Sequence, residues 1–65
     1  MEINGTYFSR ADEVELVNLY HLARTALSGS DDGRWARMNW AAKEYAKARD
    51  IPVVRAYKAL DRALA

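Results

Sequence analysis

The sequence predicts an all-α fold, a compact three-helix bundle with a short extended N-terminal arm. Three observations lead there. Apolar residues recur at helical spacing in three successive segments. The junctions between those segments carry residues that stop and start helices, Gly29 at one and Asp50-Ile51-Pro52 at the other. A chain of 65 residues that is 51% apolar has the size of one small domain and is too apolar for a disordered tail. The helices are expected over 10–28, 33–49 and 52–64, within a single domain spanning 1–65.

The arm comes first. "MEINGTYF" holds the turn pair Asn4-Gly5 between Ile3 and Tyr7-Phe8. Its flanks are short for a hairpin, so it reads as an extended segment laid on the helices. "SRAD" then supplies Ser9 as N-cap with Asp12 three residues on, a capping box, and Asp12 and Glu13 suit the positive end of the helix dipole. The first helix should stop at Gly29, which adopts the left-handed conformation most residues resist. "GSDDG" is a loop whose Asp31 and Asp32 can cap the second helix. Ile51 is pushed from helical geometry by Pro52, and Pro52 suits a first helical position.

Stepping 100° per residue gives the buried faces. On the first helix Leu16, Leu19, Tyr20, Leu22, Ala23, Ala26 and Leu27 form a broad arc, which makes that helix the expected centre of the bundle. On the second the arc is Trp35, Met38, Ala42, Tyr45 and Ala46. On the third it is Val53, Ala56, Tyr57, Leu60, Ala63 and Leu64, with Arg55, Lys58 and Arg62 opposite. Val14, Val17 and His21 fall beside the first arc. They are the candidates for self-association, because a chain this short has little core of its own.

Composition excludes several functions. No cysteine is present, so there is no disulfide and no thiolate metal site. The lone histidine, His21, has no serine at helical spacing, so no catalytic triad is legible. The three glycines stand apart at 5, 29 and 33 and form no phosphate loop. Capping explains the paired acids Asp31 and Asp32 without a cation. No catalytic residue, metal, cofactor or small-molecule substrate is expected. No apolar run approaches the roughly 18 residues of a membrane span, and no basic-then-apolar leader opens the chain, so a cytoplasmic setting is expected.

Charge is unevenly placed. Residues 1–33 carry six acids and two bases, and residues 34–65 carry eight bases and three acids. Such asymmetry means a basic binding face or packing between the two halves. Trp40 lies about 140° from Trp35, outside the core arc, among Arg37, Lys43 and Lys47. These four are the candidate partner-binding residues, because tryptophan flanked by basic side chains is a common interface anchor. The alternative is that Trp40 packs beneath the arm, against Tyr7 or Phe8.

Two resemblances follow. "AKARDIP" with the amphipathic helix after it resembles a helix-turn-helix, which implies DNA contact through Arg55, Lys58 and Arg62. The chain departs from that pattern with Asp50 at the glycine position, Arg49 at a sealing apolar position, and Ala56 and Ala59 where bulkier aliphatics are usual. The segment "GRWARMNWAAKEYAKARDIPVVRAYKALDRAL" resembles small helical proteins encoded by bacteriophages, and implies an accessory factor that binds a host macromolecule. The expected function is therefore non-enzymatic binding of another protein or of a second copy. A small DNA-binding protein is the alternative.

Overall fold

The computed structural model describes residues 1–27 and 33–65. In chain order it contains β1 (Glu2–Ile3), β2 (Thr6–Tyr7), α1 (Arg10–Ala26), α2 (Arg34–Arg49) and α3 (Val53–Leu64). The three helices pack together as a bundle, as the periodicity predicted. The first helix ends at Ala26, short of the expected Ser28, with Leu27 as its C-cap; the expected stop at Gly29 and the capping role of Asp31 and Asp32 lie outside the described residues.

The arm corrects the expectation, because its short flanks do form a hairpin. β1 and β2 pair antiparallel, Glu2 with Tyr7 and Ile3 with Thr6. Asn4 and Gly5 take φ of 48° and 88°, the pair of positive values a tight type I′ turn requires and asparagine-glycine supplies at low cost. Two rungs alone would not hold. The hairpin persists because Ile3 and Phe8 are buried in the helical core. The open end of the hairpin is also clamped, the Met1 nitrogen donating to the Phe8 carbonyl at 3.0 Å and the Phe8 amide to the Met1 carbonyl at 2.6 Å.

The capping box at α1 forms as read. The Asp12 amide donates to Ser9 Oγ at 3.2 Å, and the Ser9 amide donates to Asp12 Oδ2 at 2.8 Å. At the other corner Asp50 takes φ 56° and ψ 51°, the left-handed geometry usual for glycine. The Ile51 amide then closes on the Ala46 carbonyl at 3.1 Å. Asparagine and aspartate tolerate that conformation better than other side-chain-bearing residues. Pro52 is the N-cap of α3 rather than its first helical residue, with ψ at 137°.

The centre of the bundle is α2. It packs against α1 and α3 more extensively than those two pack on each other, so α1 is not the central element expected. The cause is side-chain size. Ala41, Ala42 and Ala46 on α2 and Ala56 and Ala59 on α3 are all buried, which lets backbones approach closely around Met38, Tyr45 and Leu60. The α1 arc is narrower than periodicity gave it. Leu16 and Ala23 are fully buried and Leu19 and Tyr20 pack on the core, but Leu22 is 55% exposed.

Candidate protein-binding face

The cations of α2 divide into two sets. The arginines each engage a neighbouring helix. Arg37 donates from Nη2 to the Tyr20 hydroxyl at 3.3 Å, with its guanidinium 5.2 Å from the Tyr20 ring centroid. Arg49 pairs with Glu15 at 3.0 Å and Asp12 at 3.5 Å, and lies 5.1 Å from the centroid of Tyr45. Arg34 reaches Asp61 in the last turn of α3 at 3.4 Å. Planar guanidinium suits these tasks, since it pairs and stacks at once. The lysines behave differently. Lys43 and Lys47 are exposed and join no ion pair or hydrogen bond among the described residues.

Arg49 closes a small network between the halves. Burial, together with a hydrogen bond to Asp12, pushes the Tyr45 phenol up to about 12. The Ser9 backbone amide holds the Asp12 carboxyl below its usual range, helped by the Tyr45 hydroxyl and Arg49. The charge asymmetry thus serves packing here, with acids of α1 meeting a base of α2.

The tryptophans reverse their expected places. Trp35, set in the core arc by periodicity, is 72% exposed. Trp40, set outside that arc, is half-buried and packs against the core. A helical wheel gives the angle of a residue around its helix, but not how far the neighbouring helices extend along it, and Trp35 stands in the first turn. Its position one residue into the helix was the only available signal. Asn39, one turn on, fixes the start of this face by donating from Nδ2 to the Trp35 carbonyl at 2.9 Å. Trp35, Ala36, Asn39, Trp40, Lys43 and Lys47 fall on one side of α2 at helical spacing, with Glu44 at its edge.

The basic set of α3 is not assembled as one free surface. Arg55 is half-buried and donates from Nη1 to Thr6 Oγ1 at 2.7 Å, tying α3 to the hairpin. Lys58 and Arg62 are exposed, but they line a groove of about 300 Å³ together with Glu2 and Asp61, whose carboxylates oppose an incoming phosphate. Of the self-association candidates, Val14 is 48% exposed and His21 is exposed, its ring edge-on to Tyr20 at 5.6 Å, whereas Val17 packs on the core. Val14 and Val17 line a groove of about 210 Å³ with Arg10, Glu13 and Ala63.

No described residues cluster as metal ligands, and no described helix is long and apolar enough to cross a membrane. Compared with protein-family models, with curated proteins and with solved structures, the chain matches none.

Proposed function

We propose that this protein is a non-enzymatic binding module that acts through protein–protein contact on the outer face of α2. The observation that carries the reading is Trp35, an indole 72% exposed in a domain of only 65 residues. Tryptophan buries on the order of 200 Å² when covered, which at about 25 cal/mol per Å² makes several kcal/mol available to a partner. Trp35 replaces Trp40 as the anchor, and Arg37 drops out because its guanidinium is held on Tyr20. Lys43 and Lys47 remain. A role as a phage accessory factor belongs to the same proposal and rests on the sequence resemblance alone.

Two other readings are weaker. Self-association through Val14, Val17 and His21 is favoured by the exposure of Val14, but Val17 is already packed inward. DNA binding through α2 and α3 is favoured by the left-handed turn at Asp50, but Arg55 is held by Thr6 and carboxylates flank Lys58 and Arg62.

The test is retention of a partner on the tagged protein from its native host. Trp35→Ala should lose the partner, at about 2 kcal/mol or more of binding free energy, while leaving the melt nearly unchanged. The complex should persist as salt rises, whereas phosphate contact would weaken steeply. Full retention by Trp35→Ala overturns the reading.

A further inference from the structure

We infer that the segment docking on α2 is acidic, with an apolar end: it places an apolar side chain against Trp35 and two carboxylates, about one helical turn apart, against Lys43 and Lys47. This rests on the outer face of α2 being the docking surface, and adds the chemistry of what covers it.

The argument is from charge. The arginines of α2 are satisfied within the fold, by Asp61, Tyr20, and Glu15 with Asp12. Lys43 and Lys47 are not, and no acid lies between them and Trp35 on that side. From Trp35 to Lys47 is twelve positions, about 18 Å at 1.5 Å per residue, or three turns of a docked helix. The face is charged at one end only. Trp35 and Ala36 open it, half-buried Trp40 lies midway, and the two lysines close it. A complementary segment therefore has a direction, apolar first and acidic after.

A second copy of this chain fits poorly. Of its three α1 acids, Asp12 and Glu15 are already engaged with Arg49, which leaves Glu13 alone there rather than two carboxylates a turn apart. Duplex DNA fits the sign but not the balance. Two lysines neutralise about two phosphates, which leaves most of the available binding free energy in an indole that a phosphate backbone does not cover. An anionic membrane is held by clusters of about four to eight basic residues, and the face offers two lysines.

The experiment uses the whole chain, with binding read by titration calorimetry in every variant and by tryptophan emission in the parent. The probe is a synthetic helical peptide with leucines followed by two glutamates a turn apart on one face, and its control has lysines in place of those glutamates. Random-sequence duplex DNA and phosphatidylglycerol vesicles are the other arms. The acidic peptide should bind saturably and shift the parent's tryptophan emission to the blue. The lysine peptide should bind about tenfold or more weakly, since two attractions become two repulsions of a few-fold each. Lys43→Glu with Lys47→Glu, both at exposed positions, should reverse that preference while leaving the domain folded, with a cooperative melt. Equal binding of both peptides, if still abolished by Trp35→Ala, overturns the charge inference and leaves the docking face standing. Tighter binding of DNA or vesicles than of the acidic peptide, or no binding of the acidic peptide, overturns it too.

Discussion

Arg37 and Lys43 stand six residues apart on one helix and carry the same charge, yet they are put to different ends. Arg37 lies against the Tyr20 ring and helps hold α1 to α2. Lys43 points to solvent and meets nothing among the described residues. The tryptophans divide in the same way, Trp40 packed on the core and Trp35 left exposed. What separates the two sides is how much of the fold each side chain holds. On the inner side every large group has a partner, so removing it leaves a hole or an unpaired charge. On the outer side removal leaves only water. The contrast gives measurable consequences.

The largest effect belongs to the inner side. Leu16 is fully buried where α1 meets the core. Leu16→Asp places an unpaired carboxylate there, at a cost of several kcal/mol, comparable with the whole stability of a domain this small. Circular dichroism should show an unfolded or barely folded chain at 25 °C. A cooperative melt close to that of the parent would show that α1 is not anchored at Leu16.

Trp40 comes next. Trp40→Ala should lower stability by about 1–3 kcal/mol, less than the 3–5 typical of a fully buried aromatic because only part of this ring is covered. The same measurement on Trp35→Ala should give a change within about 0.5 kcal/mol. If the two variants melt alike, Trp40 holds no more of the fold than Trp35 does, and the contrast between the two tryptophans fails.

Much of the fold was legible because it depends on local chemistry. Ser9 and Asp12 can cap a helix whatever surrounds them, and they do. The corner at Asp50-Ile51-Pro52 follows from backbone preference in the same way. Tertiary reach was not legible. Trp35 sits at a core-facing angle but beyond the cover of its neighbours, while Leu22 lies about 120° round the helix from buried Leu16, at the edge of the arc. The hairpin was missed because its two rungs hold only through burial of Ile3 and Phe8, which no local pattern shows. The site followed the same rule: Lys43 and Lys47 were found as surface cations, while Arg37 and Arg55 looked equally free until Tyr20 and Thr6 were seen beside them.

High pH probes the inner side by titration. Tyr45 is raised to about 12, first by burial and then by its bond to Asp12. A phenol raised in the folded state contributes stability that is complete below its unfolded value near 10, and that stability is lost as pH rises through 12. Thermal melts should therefore fall between about pH 10 and 12, and Tyr45→Phe should flatten that decline while lowering the melt at neutral pH. At the acid end the sign is opposite. Asp12 is lowered by the Ser9 amide, so its contribution is present above about pH 4 and fades as pH drops below it. Asp12→Asn should melt lower than the parent at neutral pH, and the gap should close in acid.

The smallest effect is the one that defines the outer side. Lys43→Ala together with Lys47→Ala removes two exposed ammonium groups that hold nothing among the described residues. Alanine has the higher helix propensity, by a few tenths of a kcal/mol at each position, and two fewer positive charges relieve repulsion along a helix rich in arginine. Against them, Lys47 in the last turn of α2 favours the negative end of the helix dipole by a similar amount, so the double variant should melt close to the parent. Arg49→Ala is the matched control, since it removes a cation from the inner side. It should melt lower, with the loss shrinking as salt screens the pairs to Glu15 and Asp12. Denaturant melts at low and high salt would check both variants. Should the lysine variant lose stability as the arginine variant does, the lysines hold the fold, and the outer side of α2 is not free to meet a partner.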